Sequence, residues 1–277
     1  LIRSEVRDEA GKLWGTVEIC YHWDAVSRIF RDQLSSTLVF FLVFIPIWSA
    51  IFLYNTRGLL RPLDQATRKL YKDAAASFAS RHRPAYLAFG IEVNILHERS
   101  PADFDAFAQF FPEVYDTVKA ASPQTKVFTV FQLERMKGLR GGLFGGVNDS
   151  SQADWGLLDR FPRLDLIGLT SYPGLIYPDP SEVPGDYYDE VRNRTTGTIC
   201  FTELGWHGAA EPAGWESSEA EQAAFVDSFF VHLEETRTEM VVWSVLYDPA
   251  ASMPFNSMGF FRGDGAAKLA WSSWTRR

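Results

Sequence analysis

From residue 84 onward, five short apolar runs alternate with segments of helical pattern, and this alternation restricts the chain more than any other feature. The runs are YLAFGIEVN (86–94), KVFTVFQ (126–132), LDLIGLTSYP (164–173), TICFTELGW (198–206) and EMVVWSVLYD (239–248). They are rich in Val, Ile, Leu and Phe and lack a regular polar alternation, so they read as strands buried on both faces. Between them lie segments that read as helices: DAAASFASRH (73–82), 101–121, GDYYDEVRNR (185–194), 218–236 and 265–274. In 101–121, Phe104, Phe107, Phe111, Val114 and Val118 recur at helical spacing, and Ser100 with Pro101 suits the start of a helix. Strands joined through helices form a parallel sheet. The expected class is therefore α/β, either part of a (β/α)₈ barrel or an open sheet.

Both architectures gather ligands at the C-terminal ends of the strands. Those ends carry Glu92 and Asn94, Gln132, Tyr172, Glu203, and Tyr247 with Asp248. One acid that closes an apolar strand is often only a helix-cap neighbour or a salt-bridge partner, but two such acids on one rim suit glycoside hydrolysis. There one carboxyl protonates the leaving oxygen, while the other attacks the anomeric carbon or activates water. Glu92 and Glu203 are 111 residues apart, about three strand–helix units, which brings them to facing sides of a barrel.

The first 72 residues differ from this pattern. They carry a net charge of +3 against −11 for the remainder, within an overall −8. An acidic chain of this kind is not expected to neutralise nucleic-acid phosphates. Residues 33–56, QLSSTLVFFLVFIPIWSAIFLYNT, hold no charge. At about 1.5 Å per residue they reach roughly 36 Å, enough for one membrane span. Arg57, Arg61, Arg68, Lys69 and Lys72 follow the run, and Arg28 and Arg31 precede it. That bias puts the C-terminal side weakly in the cytoplasm, whereas enzymes that degrade glycan polymers usually work outside, so the side stays open. DEAGKLWGTVEI (8–19) resembles the last hairpin of an extracytoplasmic sensing domain, and LLRPLDQATRKL (59–70) resembles the start of a HAMP signalling linker. The division expected is 1–32 sensor-like remnant, 33–56 membrane helix, 57–72 linker or seam, and 73–277 the α/β part. Leu1 in place of Met suggests a fragment or a processed product.

Residues 84–277 resemble the second half of a clan A retaining glycoside hydrolase, strands four to eight of a (β/α)₈ barrel. FGIEVN is similar to that clan's fourth-strand Gly-Asn-Glu motif, and TELGW to its seventh-strand motif. LDLIGLTSYPG resembles the sixth strand of the endo-β-1,4-galactanases. VVWSVLYD resembles the eighth strand, and MGFFRGDGAAKLAWSSW (258–274) the family's ending. The resemblance implies a partial TIM barrel acting on an oligo- or polysaccharide without a cofactor or metal. It implies Glu92 as acid/base, Glu203 as nucleophile, Tyr172 as the hydrogen-bond donor to the nucleophile, and Trp243 as the sugar platform. Trp206, beside Glu203, is a candidate wall of the cleft.

Two departures accompany the resemblance. Ile91 stands where the clan has the Asn that holds the sugar 2-hydroxyl, and Asn94 is the candidate substitute. The first three strand–helix units are not evident, so two open sheet edges and an exposed interior are expected. These departures favour a membrane-anchored sensory or sugar-binding module without turnover, or a chimeric fragment, as alternatives. His97, Glu98 and His207 lie near the rim without metal-ligand spacing and read as surface residues. The Gly-rich segment GLRGGLFGGVN (138–148) lacks a phosphate-loop ending and reads as a rim loop. Cys20 and Cys200 form no paired motif, and Cys200 reads as a small core residue.

Overall fold

The computed structural model describes residues 2–7, 13–19, 65–233 and 236–276. It comprises two units, Leu1–Leu60 and Arg61–Arg277. In the first, β1 (Ile2–Arg7) and β2 (Leu13–Ile19) pair antiparallel; only β2 lies within the stretch 8–19 expected to form a hairpin. The uncharged run 33–56 lies outside the described residues. Among the described residues no helix is long and apolar enough to cross a membrane.

The second unit opens with α1 (Gln65–His82), which runs from the expected linker into the expected helix without a break. Next come β3 (Tyr86–Ala88), α2 (Val93–Arg99), α3 (Pro101–Ala121), β4 (Lys126–Gln132) and a single turn, α4 (Leu133–Met136). The unit continues with β5 (Leu166–Ser171), α5 (Asp189–Arg194), β6 (Ile199–Leu204), α6 (Glu219–Leu233), β7 (Thr238–Val241) and α7 (Leu269–Thr275). The strands form one parallel sheet in the order β3-β4-β5-β6-β7. Sequential order with a helix after most strands is the topology of a barrel segment. The fold class is thus α/β, a curled half-barrel.

Strand parity sorts the side chains. Val127, Phe131, Ile167, Leu169, Ile199 and Phe201 enter the large core beneath the helices, with Phe104, Phe111 and Val118 of α3 and Phe225 and Phe229 of α6. The helix α3 matches its predicted span, and its expected apolar face is buried apart from the half-buried Phe107. Phe161 meets Phe104, Phe107, Phe111 and Phe131 at centroid distances of 5.8, 5.8, 5.5 and 5.7 Å, three of them edge-to-face, which suits the ring quadrupoles.

The opposite parity gives a second, smaller cluster of Phe128, Val130, Leu166 and Cys200, flanked by Tyr86 and Met240. This is the concave face, and the expectation that it is exposed holds only near its C-terminal end. At the other end the outermost strands are joined by side chains. The Tyr86 hydroxyl of β3 donates to Glu239 Oε1 of β7 at 2.8 Å, and Lys126 pairs with the same carboxylate. The sheet therefore curls far enough for five strands to cover their own lower interior. Towards the C-terminal rim, Ile91 is 64% and Val242 40% exposed.

Candidate active site

Glu92 does not end a strand, which corrects the sequence reading. β3 stops at Ala88, although Phe89 N still donates to Phe128 O (2.8 Å) and Gly90 O accepts from Val130 N (3.1 Å). The chain then turns sharply through Gly90 at φ +89° and Glu92 at φ +51°, and α2 begins at Val93. A left-handed glutamate is uncommon and costs free energy, so the packing around it must hold it there. Gly90 is part of that packing: a Cβ there would lie 2.5 Å from Phe107 Cζ and 2.9 Å from Val93 Cγ1. Gly90→Ala is expected to destabilise the unit by about 1–3 kcal/mol, read as a lower midpoint in thermal unfolding.

Glu203 reaches the concave face through a bulge. Phe201 faces the helices, and uninterrupted alternation would send Glu203 the same way. Instead the β5–β6 register steps from Leu169↔Phe201 to Thr170↔Glu203. Thr202 is the extra residue, and its hydroxyl donates to Leu169 O at 3.3 Å. One inserted residue reverses parity and re-aims the acid.

Both carboxylates are held at the end of β5. Thr170 Oγ1 donates to Glu92 Oε1 at 2.7 Å, and the Tyr172 hydroxyl donates to Glu203 Oε2 at 2.6 Å. Thr170 and Tyr172 are two apart, so they share a face. Ser244, just past β7, lies 2.8 Å from the Tyr172 hydroxyl and donates to Leu204 O at 2.9 Å. Burial pushes the Glu92 carboxyl above the usual range, the Thr170 hydrogen bond opposes this, and the Glu203 charge adds to it. Burial, then the hydrogen bond to Glu203, raises the Tyr172 phenol, so it stays a donor at neutral pH.

Three sequence assignments are corrected. Trp243 has the parity of the helix-facing residues: its ring stacks on Phe260 at 4.5 Å, and its N–H donates to Met258 O at 2.7 Å. Trp206 is fully buried against Phe225, with its N–H on Ser217 Oγ at 3.1 Å. Both indoles are core residues, not sugar platforms. Asn94 sits in α2 and is buried, with Nδ2 donating to Gln132 O at 2.9 Å and Oδ1 accepting from Gln132 N at 2.8 Å. Its carboxamide is thus committed to backbone and is not free for a hydroxyl. Thr170, Ser244 and Phe255 carry no motif that singles them out in advance. Phe255 is 40% exposed and meets Tyr172 edge-on at 5.7 Å.

Glu98 is held by Arg135 and Arg140, at 2.5 and 2.6 Å. His97 faces Asp154 at 3.6 Å, and buried His207 contacts Trp215 O at 2.8 Å. Among the described residues no group of three His, Cys, Asp or Glu side chains is placed to hold a metal.

No family model matches the chain, and no curated protein matches it. Solved structures do. The catalytic domain of an Ignisphaera aggregans family 53 glycoside hydrolase superposes with a TM-score of 0.54 at 14% identity, over 76% of this chain and 66% of that one. A thermostable mutant of a Cellvibrio japonicus xylanase gives 0.53 at 14% identity, over 76% and 70%. A psychrophilic family 10 endo-β-1,4-xylanase gives 0.52 at 13% identity, over 75% and 67%. These likenesses show the fold alone, part of a (β/α)₈ barrel. The chain spans about two thirds of the length of these structures, in keeping with five of eight strands.

Proposed function

We propose that this unit hydrolyses β-glycosidic bonds of an oligo- or polysaccharide by a retaining mechanism, with Glu92 as acid/base and Glu203 as nucleophile. One observation carries the reading. Two glutamates from distant parts of the chain are hydrogen-bonded to Thr170 and Tyr172, on one face of one strand end. Their surroundings differ in the way the two roles require. Burial keeps Glu92 protonated to higher pH, as a proton donor needs, while the Tyr172 phenol stabilises the charge of Glu203, as a nucleophile needs. The xylanase and family 53 neighbours support a carbohydrate substrate. In this reading Phe255 offers the sugar an aromatic edge, and the run 33–56 anchors the unit to a membrane.

The test is incubation of the full chain with aryl β-glycosides and β-glycan oligosaccharides, following the anomer first released by NMR. Initial release of the β-anomer supports retention. Saturable sugar binding with no product after prolonged incubation overturns turnover in favour of a binding module, which the exposed Ile91 in place of the usual Asn would favour.

Tyr172→Phe removes the donor on Glu203 while keeping the ring. It is expected to lower kcat/KM by roughly 10–10²-fold, mostly in kcat, because a donor aimed at a reacting carboxylate matters most in the transition state. Steady-state kinetics with one aryl glycoside checks this.

A further inference from the structure

Behind the rim lies a buried carboxylate that the proposed mechanism does not use. Glu134, in α4, is fully buried. Its Oε1 accepts from Tyr172 N (3.0 Å), Ser171 Oγ (2.9 Å) and Tyr187 OH (3.0 Å), and its Oε2 accepts from Gln132 Nε2 at 2.5 Å. Lys137, whose ammonium feels the Glu134 charge, is itself occupied by Tyr187 O at 2.5 Å and Glu190 at 3.4 Å. The four donors aimed at Glu134 therefore belong to neutral groups; those of Gln132, Ser171 and Tyr172 lie on or beside strand ends that carry the site, and that of Tyr187 lies just before α5.

These bonds join into one path. Glu92 turns the chain into α2, and two residues later Asn94 clasps both backbone groups of Gln132. Gln132 caps α4, with its Oε1 accepting from Arg135 N at 2.7 Å, and passes its amide to Glu134. Glu134 holds the Tyr172 backbone, and the Tyr172 hydroxyl holds Glu203. We propose that Asn94, Gln132 and Glu134 are positioning residues, a buried hydrogen-bonded path that fixes where Glu92 and Glu203 stand relative to one another.

The path runs through the outward-facing parity of β5. Ser171 and the Tyr172 amide face Glu134, while the Thr170 and Tyr172 side chains face the carboxylates. Burial raises the Glu134 carboxyl, and the donors from Ser171, Tyr172 and Tyr187 oppose that rise; in its ionised form the group only accepts, so all four donors can converge on it. A carboxamide would set its own N–H₂ against one of them. Glu134 touches neither candidate catalytic carboxylate, so its effect must pass through Tyr172 and Gln132. The inference rests on the proposed function for its meaning, yet the geometry it describes can be measured without turnover.

The test compares wild type, Glu134→Gln, and the double variant Gln132→Glu, Glu134→Gln, which moves the acceptor to the other side of the same contact. All are full chains, with carboxyl carbons ¹³C-labelled in Glu and resonances assigned through Glu92→Gln and Glu203→Gln. The Glu134→Gln variant is expected to shift the titration midpoint of Glu92 by about half a pH unit or more. It should also lower kcat by about 10²-fold with little change in KM, as misplacement of reacting groups does. The double variant should recover most of both. Folded Glu134→Gln with an unchanged midpoint overturns the inference. If wild type turns over no glycoside, the proposed function fails, and the midpoint alone decides the positioning. If Glu134→Gln does not fold, Tyr187→Phe, which removes one of the four donors, must shift the midpoint in the same way, and an unchanged midpoint there overturns the inference.

Discussion

Glu203→Ala is expected to reduce hydrolysis of an aryl β-glycoside by roughly 10³-fold or more, as removal of a covalent nucleophile does. Added azide should then restore part of the rate. The variant leaves a space on the α-face of the anomeric carbon, where the small anion fits. Azide attacks that carbon, the aryloxy group departs with the proton from Glu92, and the product is the α-glycosyl azide. One displacement occurs, so the configuration is inverted once. The Tyr172 hydroxyl keeps Ser244 as a partner after the change, so the variant is not expected to lose much stability. NMR of the azide product reads the anomer directly. Wild-type activity in this variant would sink the assignment of Glu203, and a β-glycosyl azide would mean that Glu203 is not the group that attacks.

How much of this was legible in the sequence depends on which physical signal each feature leaves. Parallel strands buried on two faces leave a strong one. The span of β4 matches its predicted limits, and the cores of β5 and β6 lie inside theirs. The turn at Glu92 left none, because Ile91, Val93 and Ile95 continue a β-branched pattern through the point where the chain becomes helical. The bulge at Thr202 is equally silent, since nothing in TICFTELGW marks an extra residue. The expectation that Glu203 faces the cleft came from resemblance, and the register explains how it gets there. The indole errors share one cause. An aromatic residue next to a functional one is as well suited to core as to cleft, and only parity separates Trp243 from Ser244. The curl was also invisible, because the contact between Tyr86 and Glu239 joins residues 153 positions apart.

Glu92→Gln should separate the chemistry of the other carboxyl from its stability. The carboxamide can still accept from Thr170 Oγ1, so the local geometry survives. Burial raises this carboxyl in the folded chain relative to the unfolded one, and the neighbouring Glu203 charge adds to the rise. Below the unfolded value both states hold the proton, and the contribution of Glu92 to stability is full. As the pH climbs through the raised folded value, the folded state must release a proton into a buried site, and that contribution is lost. Glutamine never ionises, so the variant should unfold at a higher temperature than wild type near neutral pH and show no such gain in strong acid. Each kcal/mol recovered should appear as about 2–4 °C in a chain of this size. Activity should move the opposite way, falling by roughly 10²–10⁴-fold on substrates whose leaving alcohol needs a proton and far less in the first step with acidic phenols. Azide added to this variant meets the glycosyl-enzyme formed on Glu203 and gives the β-glycosyl azide, after two displacements instead of one. The two variants should therefore yield opposite anomers of the same product, and a shared anomer would show that the two glutamates do not divide the work between acid/base and nucleophile.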